Sequence, residues 1–394
     1  MLWTGANTIE KILNTLGVSI TGTAGAGYLQ IPNQSAAPAN ADAGTVRLYP
    51  DVNGNWRMVS ATGVVSYLGD SAGNAPGFMA TRKWYDLAVT SSQWTSVAWS
   101  PLRNKFVAVA GGGITNSVMY SSDGVTWTDH ASANNSATWN SVTVNPAGRF
   151  VAVGRKNAGA YAAMYSDDGI NWTGVNFTGE GNEWASVCWA SEVSNGIGGF
   201  GLFVAVAQTG TNKVMSSRDG INWTPGSSVG DSNGWWSVAW SPTASGTGLF
   251  VAVAGSGSNR VMYSPDGINW TLHASAGESS SWFSVCWSPT ASGTGKFVAV
   301  SNNNGGGMTS TDGISWALSS LNSAASWVSA IWVPALSMFV AGGSATKAVA
   351  VSPDGISWRE VVATSANWQG MCWSPELRKI VAVAAVGTSR AMST

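Results

Sequence analysis

Six copies of a short acidic turn stand out in a chain that carries little charge. The pattern S-x-D-G-x-x-W begins at Ser121, Asp123, Gly124 and Trp127 and returns around Asp168, Asp219, Asp266, Asp312 and Asp354. A carboxylate in such a turn either accepts the turn's own backbone N–H groups or stays free for acid–base work. Pro265 suits the second position of a type I turn, and Gly267 tolerates the left-handed step of a three-residue hairpin. That favours the stabilising role. Other reactive groups are few. His130 and His273 hold equivalent places after the same strand of two repeats. Cys188, Cys286 and Cys372 fall at one strand position, filled elsewhere by Ala98, Thr143, Ala239 and Ile331. Two His and three scattered Cys give neither zinc-ligand spacing nor a disulfide framework, so no metal and no cofactor is expected. Glycoside hydrolysis needs two facing carboxylates. Glu180, Glu183, Asp231 and Glu278 sit on loops without a recognisable framework, so no catalytic residue is assigned and no enzyme is expected.

The elements that carry these residues repeat. A first run recurs as WTSVAWSP from Trp94, WNSVTVNP from Trp139, WASVCWAS from Trp184 and WSVAWSP from Trp236. It continues as WFSVCWSP from Trp282, WVSAIWVP from Trp327 and WQGMCWSP from Trp368, with steps of 45, 45, 52, 46, 45 and 41 residues. A second run follows each, as in FVAVA from Phe106 and IVAVA from Ile380. The acidic turn then joins a third and a fourth. Four short strands in about 45 residues are the signature of a β-propeller blade. The first and second runs occur seven times but the acidic hairpin only six, because the chain ends at Thr394 after a third strand. Just upstream of the first unit, TRKWYDLAV places Trp84 where the hairpin Trp belongs. The expectation is an all-β, seven-bladed propeller of four-stranded blades, closed by an N-terminal outer strand from residues 81–89 and preceded by a small helix-plus-hairpin domain. Closure of this kind leaves no open sheet face between first and last blades.

Composition narrows the partners. Charged residues are 10% of the 394, against about 25% in an average protein, and the net charge is -1. That excludes electrostatic binding of nucleic acid, which needs a basic surface. No apolar run reaches the roughly 20 residues of a membrane span, so no membrane insertion is expected. The opening MLWTGANTIEKILNTL lacks the pattern of a signal peptide. Most of the 23 Trp recur at fixed blade positions, which makes them core rather than a sugar platform.

The loops at one end of the blades differ between units while the strands do not, which suits recognition. The ligand candidates there are His130, Asn134, Asn135, Glu183, Asp231, Asn233, Trp235, His273 and Glu278. Lys213, Arg260 and Arg390 share one place at the start of the third strand, where they can pair with loop acids or form a weak ring for an anionic sugar. For any single loop, a solvated turn is the plainer reading.

The hairpin resembles the Asp-box of sialidases and other propellers, shortened by one residue at Ser121, Asp123, Gly124 and Trp127; the resemblance implies a fold-stabilising turn without catalysis. The Arg-Ile-Pro motif of sialidases is absent. Before the propeller, residues 7–17 place Ile9, Ile12, Leu13 and Leu16 at helical spacing, and 31–44 form a Pro/Ala-rich linker. Two hairpins follow, turning at Asn53-Gly54 and Thr62-Gly63. This stretch, through Ala43, Gly44, Val46, Arg47, Leu48, Tyr49, Asn53, Gly54, Thr62, Gly63 and Val64, resembles an element of bacteriophage tail fibres and other virion appendages. The resemblance implies a virion protein with an attachment domain at 1–70, a linker at 71–78 and a propeller at 79–394. It implies a tail-fibre or receptor-binding component adhering to a host surface glycan. Residues 1–70 would meet other virion proteins, and a homo-oligomer is possible. The alternatives are a capsid decoration or head fibre with a structural role only, and a sialidase-like glycan hydrolase.

Overall fold

The computed structural model describes residues 84–394, apart from 113–115, 135–136, 156–160, 176–180, 192, 194–200, 227–228, 230–231, 278, 304–305, 322–325, 345–348 and 362; before 84 it describes the backbone of five short strands. The chain divides into two units, Met1–Arg82 and Lys83–Thr394. In the first, Thr23–Gly25 pairs with Tyr28–Gln30, and Val46–Pro50, Trp56–Ser60 and Val65–Gly69 form an antiparallel meander. The helix expected over 7–17 and the linker at 71–78 lie outside the described residues.

The second unit is all-β, built from repeated four-stranded antiparallel sheets in the manner of a β-propeller. The first sheet takes Gln93–Ser100, Lys105–Gly111, Val118–Ser121 and Thr128–His130 in that order. Four more separate sheets follow the same plan, opening with Thr138–Val144, Trp184–Ala190, Gly234–Ser241 and Trp282–Ser288. The strands beginning at Ser326–Val333 and at Ala366–Ser374 belong to one larger sheet, whose two halves are joined by the single pair Ser344 and Asn367. Its last half takes an outer strand from far upstream. Tyr85 pairs with Ser393 and Asp86 with Met392, and the Leu87 N–H donates to the Ala391 carbonyl at 2.9 Å. Trp84, half-buried, stands immediately before that strand, as Trp127 stands before Thr128.

Burial explains the strand sequences. The second strand of each sheet, such as Lys105–Gly111, has neighbours on both faces and so reads as an unbroken apolar run. Phe106, Val107, Ala108 and Val109 are all fully buried. The apolar clusters lie between consecutive sheets, and the series returns on itself: Val381 and Val383 of the last sheet pack with Trp94, Val97 and Phe106 of the first.

Adjacent sheets are also tied by hydrogen bonds between their first strands. The Val142 N–H donates to Ser96 Oγ at 3.1 Å, Val187 to Ser141 at 3.2 Å, and Val238 to Ser186 at 3.3 Å. Val285 donates to Ser237 at 3.1 Å and Ala330 to Ser284 at 3.0 Å. The equivalent of these serines in the last sheet is Gly370, and here the backbones meet directly. A Cβ at Gly370 would stand 2.7 Å from the Ser96 Cα, so the glycine permits the approach of last sheet to first.

One register expectation is corrected. In every sheet the residue after the first-strand Trp is bulged, as between Trp94 and Ser96. In the fourth sheet the bulge falls between Trp235 and Ser237. Trp235, not Trp236, is therefore the equivalent of Trp94, and it is fully buried. Two adjacent Trp had concealed a one-residue slip.

Candidate functional site

The acidic turns are saturated with internal hydrogen bonds. Asp266 Oδ1 accepts the N–H groups of Ile268 and Asn269 at 2.8 Å and the Ser264 hydroxyl at 2.9 Å. Ser264 Oγ in turn accepts the Gly267 N–H at 2.8 Å, with Gly267 at φ +72°. The same bonds recur at Asp123, Asp168, Asp219, Asp312 and Asp354. Burial alone would raise these carboxyl groups, but the backbone donors outweigh it and hold Asp123 and Asp219 at about 2. Asp168, Asp266, Asp312 and Asp354 are lowered for the same reasons. Such anions make poor general bases near neutral pH.

Cations at the start of the second strand add cross-links to this end. Lys105 Nζ donates to the Asp168 carbonyl at 3.1 Å, Arg149 Nη1 to Asp219 at 2.9 Å and Lys296 Nζ to Asp354 at 3.0 Å. Lys379 of the last sheet reaches the Asp123 carbonyl of the first at 2.8 Å. Each clamps one sheet to the next sheet's turn. This end is scaffold.

At the opposite end, the structure separates the expected ligand residues instead of gathering them. Asn135, Asp231 and Glu278 lie outside the described residues. Trp235 is core. Asn233 is buried, its amide donating to the Ser258 and Asn259 carbonyls at 2.8 and 3.1 Å, so it caps a connection of its own sheet. Asn134 is half-buried, with its N–H 3.3 Å from Ser132 Oγ. His130 and His273 end outer strands of different sheets, each with Nδ1 beside the next residue's carbonyl, at 3.1 and 3.2 Å. The three cations meet carbonyls. Lys213 Nζ donates to Asn233 O at 2.7 Å, Arg260 Nη1 to Ser280 O at 2.6 Å, and Arg390 to Ala385 O. Lys213 and Arg260 thereby brace the chain entering the next sheet, a role no sequence motif announces. Glu183 pairs with Arg155 at 3.0 Å. Burial pushes the thiols of Cys188, Cys286 and Cys372 well above their ordinary range, which makes them inert as nucleophiles. No metal-ligating group of three or more such side chains exists among the described residues, and none of their helices is long and apolar enough to cross a membrane.

The feature that the sequence reading missed is the bulge itself. Its residues are Thr95, Asn140, Ala185, Trp236, Phe283, Val328 and Gln369, each directly after a buried Trp and each half-buried. They adjoin one another from sheet to sheet. Thr95 Oγ1 donates to Trp139 O at 2.7 Å and Asn140 Nδ2 to Trp184 O at 2.8 Å. The rings of Trp236 and Phe283 stack at 4.1 Å between centroids and 22° between planes. The bulge residues therefore follow one another along the first strands from sheet to sheet. In sheet order they fall into two runs: Gln369, Thr95 and Asn140 are polar, and Trp236, Phe283 and Val328 are apolar, with the small Ala185 between. None of these side chains is charged. Glu183, two residues before Ala185, pairs with Arg155 of the preceding sheet. The available signal was one position that differs in every repeat while its neighbours recur.

No family model and no curated protein matches the sequence. Among solved structures, the second unit is similar to a streptogramin B lyase, at TM-score 0.63 and 8% identity, covering 79% of this chain and 96% of that one. It is equally similar to a catalytically inactive virginiamycin B lyase from Staphylococcus aureus with quinupristin, at TM-score 0.63 and 10% identity, covering 79% and 98%. These matches correct the expectation of a non-enzymatic tail-fibre component that adheres to a host glycan. The propellers that this chain resembles are named as enzymes, and neither is a virion appendage. At such identity the likeness shows the fold: residues 83–394 are a β-propeller.

Proposed function

We propose that residues 83–394 are a seven-bladed propeller enzyme that takes an uncharged substrate at the mouth formed by the bulge residues. Seven blades follow from treating the sheet joined by Ser344 and Asn367 as two blades that touch at one pair. The observation that carries the functional reading is the contrast between adjacent positions. Trp94 and its equivalents are buried and all Trp, whereas the next residue is half-buried and different in every sheet. A largely apolar surface with a few polar groups suits small-molecule binding. Glu183, held by Arg155, is the group assigned to proton transfer. The two lyases support an enzyme over an adhesin, and quinupristin in one of them supplies a first substrate to try. Residues 1–70 we keep as an attachment segment that carries the propeller on a virion, on the strength of the AG-x-VRLY resemblance alone.

The test is turnover by the full chain. It is incubated separately with quinupristin and with neutral oligosaccharides, and products are read by mass spectrometry. Product should form with the native chain and be lost in Glu183→Gln at an unchanged melting temperature. Absence of product from every substrate, or undiminished activity in the variant, would discard the corresponding part of the reading.

A further inference from the structure

The aromatic half of the mouth is a constructed surface. Trp236 stacks on Phe283, and the Nε1–Cδ1 edge of its indole meets Gly255, where a Cβ would come within 2.6 Å of Nε1 and 2.8 Å of Cδ1. Gly255 has no positive φ, so the indole alone excludes a side chain there. The Gly255 carbonyl is tied to the next sheet by the Ser281 hydroxyl at 2.9 Å. Three neighbouring residues thus fix the plane of one half-exposed Trp. The fully buried Trp235 beside it already fills the repeated core position, so Trp236 is not the core residue of this repeat.

We infer that the substrate is an uncharged saccharide, one pyranose ring of which lies on the Trp236–Phe283 shelf while its hydroxyl groups reach toward the arc of Gln369, Thr95 and Asn140. This rests on the assignment of the mouth as the substrate site. The physical argument is complementarity. The negative face of an indole attracts the weakly positive C–H face of a sugar ring, and the stacked plane is already ordered, so little freedom is lost on binding. Amide and hydroxyl side chains both donate and accept, as sugar hydroxyls require. Among the described residues no bulge position offers a cation, Lys213 and Arg260 donate to backbone carbonyls and Arg155 is paired with Glu183, which favours a neutral ring over a carboxylated sugar or a nucleotide.

The test is calorimetric titration and saturation-transfer NMR on the full chain with neutral gluco-, galacto- and N-acetylglucosamine oligosaccharides, and with a sialylated oligosaccharide for contrast. At least one neutral saccharide should bind, Trp236→Ala should weaken it about tenfold, and Trp236→Phe should recover part of the loss. Gly255→Ala should weaken it too, because the added carbon displaces the indole. No binding across the neutral set, equal binding in Trp236→Ala, or preference for the sialylated sugar overturns the inference. Trp236-dependent binding without turnover would instead remove the enzymatic reading and leave this one standing. Turnover of quinupristin without saccharide binding would do the reverse.

Discussion

The two ends of each sheet are built on opposite principles. At the acidic-turn end, the repeats carry nearly the same residues and nearly the same bonds: Ser Oγ to the Gly N–H at 2.8 to 2.9 Å, recurring at Ser121, Ser166, Ser217, Ser264, Ser310 and Ser352. At the bulge end, one backbone irregularity repeats while the residue it presents never does. Sameness at the first end reflects one solution to one problem, the capping of a tight turn that lacks partners. Difference at the second reflects a scaffold already stable enough to let one position vary. The carboxylates that stand out in the sequence are committed to the turns of the first end.

The sharpest test of this contrast lies between two adjacent residues. Trp235 is wholly buried among Val204, Val206 and Phe250, whereas Trp236 is half-exposed. Trp235→Ala should destabilise the propeller by about 3–5 kcal/mol, the usual range for emptying a core aromatic site. Trp236→Ala should cost well under half of that in the same denaturant titration. Equal losses would mean that the bulge position is core after all, and the distinction between the ends would fail.

Next in size is the seam between last and first sheets. Gly370→Ala puts a carbon 2.7 Å from the Ser96 Cα and 3.0 Å from the Thr95 carbonyl, and both neighbours are backbone that cannot rotate away. The expected loss is about 1–3 kcal/mol, as for overpacking elsewhere, with hydrogen exchange rising first in Tyr85–Asp86 and Ala391–Ser393. Unchanged stability would show that the two sheets can part without cost. A comparable link between fourth and fifth sheets is the buried Val285 N–H donating to Ser237 Oγ. Ser237→Ala leaves that donor without its hydroxyl acceptor and should cost about 1–2 kcal/mol in chemical unfolding.

Much of this architecture was legible because it is periodic. The apolar runs from Phe106 onward and the six acidic turns predict four-stranded repeats without any tertiary information, and the missing hairpin after Ala391 pointed upstream to Trp84. What stayed hidden has one physical cause: its partner is backbone, which carries no letter. Lys213 and Arg260 were expected to meet acids or a sugar, and both also donate to carbonyls, which no spacing announces. The bulge is a change in backbone register, so alternation alone cannot say that Thr95 or Gln369 is displaced from the core. At Trp235 and Trp236 even the residue type gave no help. The loops drew attention because they vary, yet Asn233 caps a connection just as Asn182 does one sheet earlier, and the more telling variation was confined to one strand position.

The smallest effect concerns protons at the acidic-turn end. Asp123 and Asp219 titrate at about 2 in the folded chain against 3.8 when unperturbed, so the unfolded state binds protons first as the solution is acidified. The stability these groups contribute is therefore fully present above 3.8 and falls away between 3.8 and about 2, where the folded carboxylates also become protonated. Thermal melts across that window should show a progressive fall in unfolding temperature. Asp123→Asn keeps an oxygen for the Val125 and Thr126 N–H groups but cannot titrate, so it should lower stability slightly at neutral pH and flatten the acid slope by one site's share. At the bulge end the matching variant, Gln369→Glu, introduces a carboxylate where no cation faces it from the neighbouring bulge positions. Its pH dependence should run the other way, with stability improving on acidification as the new group is neutralised. Opposite slopes would establish that the acidic turns are organised around a fixed charge and the bulge positions around its exclusion. Parallel slopes would mean that the mouth already holds a compensating cation, and its assignment to an uncharged substrate would have to be withdrawn.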